Sequence, residues 1–257
     1  MLMEQVEREW ENDWLGSVRT TSGWCSVCQT PSRFVFDLMW GALNGLRLEP
    51  AWTETFKCVR CDGNARMRNA VGEFRELFLG GRVYLHEGFT KLAEMMFADL
   101  GNDLVASEFG VAEHTTESGL RIRSEDLTTL SFDDNEFDFQ ISLDVLEHIP
   151  DYEGALKEIH RTTKPGGFLI LTTPIFGEVS QPRAYVDHGE IVHLLEPNYH
   201  GDPQSGKSNL VFTDFGTDLL EVIKSVGFAK CTLKRKWQPS EWILGGRQFS
   251  VICQKNA

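Results

Sequence analysis

The chain predicts an α/β fold built on a parallel sheet, with a small metal-binding unit ahead of it. Three observations carry that reading. Residues 137–174, FDFQISLDVLEHIPDYEGALKEIHRTTKPGGFLILTTP, alternate strand, helix and strand character. Polar residues collect at the carboxyl end of the first of those strands, as Asp144, Glu147 and His148. Upstream stand two CxxC pairs, Cys25/Cys28 and Cys58/Cys61.

Phe137–Leu143 is short and mostly apolar, as a buried strand requires. Asp151 is placed to cap a helix whose inward face carries Ala155, Leu156 and Ile159. Lys164-Pro165-Gly166-Gly167 stops that helix, since proline cannot continue it and glycine supplies a tight turn. Phe168–Thr172 is then a second buried strand, and the whole is a right-handed βαβ unit. Ligands of open α/β sheets sit beyond the carboxyl ends of the strands, which is where the polar residues are. The run LDVLEHIPD followed by KPGGFLILTTP resembles the fourth and fifth strands of class I S-adenosylmethionine-dependent methyltransferases. The resemblance implies a Rossmann-like sheet of seven strands, mostly parallel with the last strand antiparallel, and S-adenosylmethionine as cofactor.

With 257 residues, 41% of them hydrophobic, the chain can bury one α/β domain and a small appendage. A formal net charge of −13 argues against a surface that tracks phosphates, so duplex nucleic acid is not an expected partner. The opening residues MLMEQVEREWENDWLG carry acids where a signal peptide needs a basic start, and no apolar run approaches the roughly 20 residues of a membrane span. The expected setting is cytoplasmic, away from membranes and with reduced thiols. Six cysteines in that setting point to metal or to chance rather than to disulfides.

In chain order, residues 1–22 are expected to form an N-terminal helix, with Val6, Trp10 and Trp14 on one face as a docking stripe that hints at a homodimer. Residues 23–63 form a zinc ribbon. Each CxxC pair is a knuckle whose turn lets both thiolates reach one ion, and tetrahedral zinc takes four such ligands: Cys25, Cys28, Cys58 and Cys61. The set leaves no open position and no adjacent base, so the zinc is read as structural. Binding of a soft substrate such as arsenite fits paired knuckles poorly.

The catalytic domain is expected over residues 64–257. Residues 64–79 form an amphipathic helix with Met67, Val71, Phe74 and Phe78 on one side, ended by Gly80-Gly81. The first strand spans 82–85 and leads into His86-Glu87-Gly88-Phe89-Thr90. The methyltransferase pattern has an acid and a GxGxG turn there, and this sequence keeps only Glu87-Gly88. Thr90 is placed to cap the next helix, 91–99, and to offer its hydroxyl and free N–H groups to a carboxylate.

Residues 103–107 form the second strand and put Glu108 at its end, where a carboxylate accepts from both ribose hydroxyls. Phe109 is placed to pack on adenine. A short third strand, 120–122, is followed by Glu125-Asp126-Leu127, which resembles the family's adenine contact. By the same resemblance Asp126 accepts from the exocyclic amine, the Leu127 N–H meets the ring, Leu143, Asp144 and Val145 line the cofactor, and His148 faces its reactive end.

Residues 175–212 make a long connection across the mouth of the sheet, read as a substrate lid. It holds His188, His193 and His200, with Tyr199 and Asp202. Its segment HLLEPNYHGDP is similar to segments of zinc-ribbon methyltransferases found near sugar-modifying and natural-product enzymes, which implies a small-molecule methyl acceptor. Thr213 or Asp214 caps the last helix, Gly227 ends it, and strands 230–237 and 248–254 close the sheet, with Cys231 and Cys253 as small core residues.

Transfer of a methyl group from a sulfonium to a hydroxyl needs near-attack geometry and a proton acceptor. His148, His193 and His200 are the candidate bases. The favoured reading is O-methylation of a small molecule. The alternatives are methylation of protein or RNA, with the ribbon as recognition module, and a non-catalytic relative that has lost its cofactor turn.

Overall fold

The computed structural model describes residues 19–38, 41–44, 47–201, 208–246 and 248–257. The chain divides into two compact units, Met1–Leu77 with Arg235–Phe249, and Phe78–Lys234 with Ser250–Ala257. The division thus falls after Leu77 rather than after residue 63, and the segment between the last two strands folds with the first unit.

In the first unit, β1 (Arg19–Cys25) and β2 (Thr30–Phe36) form an antiparallel hairpin with Cys25 opposite Thr30. β3 (Ala42–Asn44) and β4 (Arg47–Glu49) pair with one another, and β5 (Lys57–Cys58) joins β2 with Cys58 opposite Phe34. The strand β1 corrects the expected helix over 1–22 for residues 19–22. Trp24 and Cys25 close a hairpin that a helix would break. Val6, Trp10 and Trp14 lie outside the described residues. The helix α1 (Ala65–Leu77) follows. It buries Val71 and Phe74 as expected, but also Arg68 and Glu73, while Met67 is only half-buried. Arg68 is the reason: its guanidinium lies 4.3 Å over the Phe34 ring and donates to the Phe56, Glu241 and Trp242 carbonyls. A buried guanidinium satisfied by backbone oxygens crosslinks hairpin, helix and returning segment.

The second unit opens with β6 (Val83–Leu85), α2 (Lys91–Leu100), β7 (Leu104–Glu108), β8 (His114–Thr115) and β9 (Arg121–Ser124). The central βαβ unit is β10 (Phe137–Leu143), α3 (Tyr152–Thr162) and β11 (Thr163–Thr172). Four short strands, β12 (Gln181–Pro182), β13 (Ala184–Asp187), β14 (Glu190–His193) and β15 (Tyr199–Gly201), lead to β16 (Ser208–Leu210) and β17 (Thr213–Asp214). Then come α4 (Leu219–Ser225), β18 (Phe228–Arg235) and β19 (Phe249–Lys255).

The main sheet runs β18-β19-β11-β10-β6-β7-β9-β8. Its central strands, β11, β10, β6, β7 and β9, are parallel, and β19 pairs antiparallel to β11. This is the mixed α/β, mostly parallel, Rossmann-like arrangement expected, with a correction in number. The sheet has eight strands because His114–Thr115 folds back antiparallel on Arg121–Ser124. Two further corrections concern boundaries. β11 begins at Thr163, opposite Phe137, and shifts register before Phe168 pairs with Phe139, so Lys164–Gly167 is an irregularity within a strand. Lys164 anchors it through Asp138 at 2.7 Å. The last helix begins after Asp218, not after Thr213 or Asp214. Arg183 takes the Asp214 carboxylate at 2.6 Å, so that side chain is unavailable as a cap.

The apolar core packs Leu156 and Ile159 of α3 and Leu219 and Ile223 of α4 against Leu169, Leu171 and Val251 of the sheet. Tyr84, Phe132 and Phe137 form an aromatic cluster within it, with centroids 4.8–5.0 Å apart. Asp151 caps α3 by accepting from Gly154 N, and Cys253 is buried as expected. Beneath α3 lies a polar chain. Gln140 Oε1 sits 3.1 Å from His86 Nε2, while Gln140 Nε2 donates to the Ile159 carbonyl and to the Thr162 and Thr163 hydroxyls. The sheet centre is thereby bonded to the last turn of the helix above it. Among the described residues, no helix is long and apolar enough to cross a membrane.

Two predictions concern this unit. Gly81 has φ +112, and a Cβ there would lie 2.4 Å from Asp138 Cγ, whose carboxylate holds Arg82 N and Lys164. Gly166 has φ +77 and open space around it. Gly81→Ala is expected to lower stability by about 3 kcal/mol and Gly166→Ala by about 1 kcal/mol in urea unfolding, because only the first adds a clash to the backbone strain. Equal losses would mean that Asp138 moves aside. His86 is buried and its pKa is lowered to about 4 by that burial. The unfolded chain binds a proton there near 6.5, the native chain only near 4, so stability is lost as pH falls through that window. This residue alone removes about 2 kcal/mol between pH 7 and pH 5. Replacing it in His86→Phe should flatten the pH dependence of unfolding over that range, and an unchanged slope would assign the loss elsewhere.

Candidate functional site

The carboxyl ends of β6, β7 and β10 meet at one edge of the second unit because these strands run parallel with Leu85 beside Ala106 and Ile141. Glu87, just past β6, accepts from Leu143 N at 2.8 Å through Oε2, so the turn after the first strand is tied to the end of β10. Gly88 N donates to the Ser107 carbonyl at 2.7 Å, and a Cβ on Gly88 would meet Ile122 Cγ2 at 2.7 Å. Only glycine lets the backbone press this close to β7 and β9. Glu108 at the end of β7 accepts from Phe89 N at 3.4 Å. Thr90 has the expected capping conformation, its hydroxyl accepting from Ala93 N at 3.0 Å. Glu87, Gly88, Thr90 and Glu108 therefore line one short path over the strand ends.

The neighbouring loop separates two adjacent acids by environment. Glu125 is buried and fully engaged, with Arg123 Nε at 2.9 Å, Ser131 N at 3.0 Å and Ser131 Oγ at 2.6 Å. Asp126 is half-buried, and its Oδ1 accepts from Thr128 N and Oγ1. That turn holds the carboxylate in place, and Leu127 next to it is buried. Phe109 is 72% exposed, an uncovered aromatic face after β7. Phe89 stacks on His114 at 4.7 Å, a pairing that sequence reading missed because β8 itself was missed.

Leu143 is buried and Val145 half-buried at the end of β10. Asp144 has φ +57, and its Oδ1 accepts from Thr172 Oγ1 at 2.7 Å. The strand turns sharply here into a single helical turn, Leu146–His148. That turn sends Glu147 inward and His148 toward the lid. Glu147 is 1% exposed, with Oε2 accepting from Thr173 Oγ1 at 3.0 Å. His148 Nδ1 lies 2.8 Å from the Leu210 carbonyl. A carbonyl only accepts, so Nδ1 carries the hydrogen and Nε2 is left to face the site. Nε2 lies 4.0 Å from Glu147 Oε1, and His200 Nδ1 lies 3.6 Å from the same oxygen. The two imidazoles meet edge to face at 5.2 Å. His148 and His200 are thus brought together, 52 positions apart in sequence, around a carboxylate whose neighbour Thr173 sequence reading did not single out.

His193 and His188 fall differently. His193 ends β14 opposite Ala184 and is exposed, and His188 is exposed at the tip of the same hairpin. Tyr199 is exposed at the start of β15, and Asp202 lies outside the described residues. The expected lid is a set of short strand pairs, β12 with β17, β13 with β14 and β15 with β16. It is fastened to the site by Phe212 N, which donates to the Glu147 carbonyl at 2.8 Å.

In the first unit the four expected cysteines converge. Cys25 Sγ and Cys61 Sγ are 3.8 Å apart, as are Cys28 Sγ and Cys58 Sγ. Cys25, Cys58 and Cys61 are buried. Burial pushes the Cys28 thiol up to about 12, whereas hydrogen bonds from the neighbouring thiols hold Cys58 well below its ordinary value. Four sulfurs this close, three of them buried, repel one another as thiolates, a conflict that a divalent cation removes.

Residues 80–171 match the family model described as "Methyltransferase domain". A ubiquinone biosynthesis O-methyltransferase of Rhodopseudomonas palustris is 30% identical over 134 residues, 51% of this chain and 51% of that protein. A demethylmenaquinone methyltransferase of Staphylococcus epidermidis is 35% identical over 78 residues, 28% of this chain and 32% of that protein. The chain thus spans about a third to a half of the length of these curated relatives. Among solved structures, the Burkholderia thailandensis 1,6-didemethyltoxoflavin-N1-methyltransferase aligns with a TM-score of 0.47 and 16% identity, covering 75% of this chain and 79% of that one. The matches support a methyltransferase domain over residues 80–171, the stretch from β6 to β11 that supplies every strand-end site residue named above except Thr172 and those of the segment after β11.

Proposed function

We propose that this chain is an S-adenosylmethionine-dependent methyltransferase acting on a small-molecule acceptor, most simply at a hydroxyl oxygen. The observation that carries the reading is the convergence of Glu87, Glu108, Glu147 and His148, all within the segment similar to methyltransferases, on the carboxyl ends of β6, β7 and β10, where His200 of the lid joins them. Bound there, S-adenosylmethionine would supply an electrophilic methyl group on a sulfonium.

The residues present fit that molecule. Gly88 leaves no room for a side chain against Ile122 and the Ser107 carbonyl, which keeps the turn low over the strand ends where the methionine portion would lie. Thr90 caps one N–H of α2, and the helix start offers others to the carboxylate. Glu108 would accept from the ribose hydroxyls and Asp126 from the adenine amine, while the Leu127 N–H and the exposed Phe109 would serve the ring. Leu143, Asp144 and Val145 form the floor. His148 and His200 stand at the reactive end, where the acceptor loses its proton. His193 is left a lid residue in this reading. The full set of polar groups at this edge favours an active enzyme over a relative that only binds partners.

The cysteine group fits a structural zinc ion. Tetrahedral coordination at about 2.3 Å from each sulfur places the sulfurs about 3.8 Å apart. The Cys25–Cys61 and Cys28–Cys58 separations are both 3.8 Å. All four positions would be filled by sulfur, so the ion would hold the hairpin to β5 and take no part in chemistry.

Calorimetric titration with S-adenosylhomocysteine tests the first reading. Micromolar binding is expected, weakened at least tenfold in Glu108→Ala. Absence of binding would end the enzyme proposal, and unchanged affinity in the variant would remove the ribose assignment. Metal analysis is expected to find one zinc per chain held by Cys25, Cys28, Cys58 and Cys61. Its removal by a strong chelator should unfold the first unit and leave the second unit's S-adenosylhomocysteine binding in place. A chain that folds fully without zinc would refute the structural role.

A further inference from the structure

We infer that Glu147, His148 and His200 form a divalent-metal site, separate from the cysteine site, that binds the oxygen of the methyl acceptor. What the ion does rests on the methyltransferase reading; that it binds does not. The ligating atoms of the three residues all lie within 4.8 Å of one another. Two imidazoles and one carboxylate on one side of a gap are the donor set that first-row divalent cations take with positions left open.

The details around the three side chains match ligands rather than an ion pair. Metal-bound histidines donate their second ring N–H to a carbonyl or carboxylate. His148 Nδ1 does this to the Leu210 carbonyl at 2.8 Å, which leaves the Nε2 lone pair aimed at the gap. A ligating carboxylate is itself held by a hydrogen bond, and Thr173 Oγ1 holds Glu147 Oε2 at 3.0 Å. The other oxygen, Oε1, is buried and makes no hydrogen bond among the described residues. An unbonded carboxylate oxygen at such depth is costly unless a cation meets it. A histidinium paired to it would close to about 2.8 Å. The nearest imidazole nitrogens instead stand at 3.6 and 4.0 Å, a gap with donors on its rim. Around one ion with bonds near 2.1 Å, donors sit about 3.0–3.4 Å apart. Closing the difference takes a small turn of both imidazoles, that of His148 on the 146–148 turn and that of His200 on the lid. Its side chain is 34% exposed against 2% for Glu147, so the open coordination positions face the acceptor's side.

An ion there would take over the task given above to a histidine base. A hydroxyl bound to the cation releases its proton to solvent and is methylated as the metal-held oxyanion. The O–C bond forms as the C–S bond breaks, and the sulfonium leaves as a neutral thioether. An acceptor with two adjacent oxygens, such as a catechol or a vicinal diol, would fill two open positions and be oriented by both.

Manganese(II) alone is the probe, since oxygen and nitrogen donors suit it and a set of four thiolates does not. The whole chain, dialysed against a weak chelator, is titrated with Mn²⁺ while electron paramagnetic resonance follows the free ion. One Mn²⁺ per chain is expected, with affinity at least tenfold weaker in both His200→Ala and Glu147→Gln. Zinc content and S-adenosylhomocysteine binding should be unchanged in His200→Ala, which reports that the variant is folded. No Mn²⁺ binding by the unaltered chain, or equal affinity in His200→Ala, overturns the site. Mn²⁺ binding without S-adenosylhomocysteine binding would uphold the metal site and sink the methyltransferase reading instead.

Discussion

The parallel pairing of β10 with β6 on one side and β11 on the other is the constraint on which the second unit depends. Ile141 stands beside Leu85 and Ile170, and the three strands end together. Parallel strands need crossovers, so their carboxyl ends are joined to helices by loops that all rise on the same edge. The residues that follow β6, β7 and β10 are thereby concentrated at one place however far apart they are in sequence. The ladder is held from beneath as well. Gln140 lies in β10 and bonds both to His86, past β6, and to the final turn of α3. A buried amide with its oxygen and nitrogen both engaged fixes the sheet against its helix, which an apolar residue at the same position would do with less directionality.

Much of this was legible in the sequence, and for identifiable reasons. Phe137–Leu143 and the capped helix after Asp151 read correctly because burial on both strand faces and a single amphipathic stripe leave clear patterns. The cysteine group was legible because CxxC spacing constrains two thiols at once. The boundary errors occur where tertiary contacts override local signals. Lys164–Gly167 looked like a helix stop followed by a turn, yet Thr163 already pairs with Phe137 and the irregularity is absorbed within β11. Asp214 looked like a cap, yet Arg183 claims its carboxylate. A two-residue edge strand such as His114–Thr115 carries no periodicity at all, so the eighth strand was invisible.

The site shows the same division. Glu87, Gly88, Thr90 and Glu108 were placed by their order after strands, which topology preserves. The partners of His148 were not, because nothing local links it to His200 or to the Leu210 carbonyl. Only the path of the lid does that. Glu147 stood in plain view within LDVLEHIPD, but adjacency in sequence on a strand end says little about direction. The helical turn at 146–148 sends Glu147 into the protein and His148 toward the lid.

The lid is therefore better regarded as part of the site than as a cover over it. Its strand pairs are short, and a two- to four-residue pair is marginal in isolation. They gain persistence where the chain returns to the sheet: Phe212 N donates to the Glu147 carbonyl, and the Leu210 carbonyl accepts from His148. Both bonds fall on the turn that presents the Glu147 carboxylate. Ordering of the lid and orientation of that turn are consequently coupled. His200 and Leu210 lie on the two strands of one pair, β15 and β16. Such coupling would suit a reaction that needs water excluded only once an acceptor is in place, because the bonds that hold the lid down fall on the turn that carries Glu147 and His148.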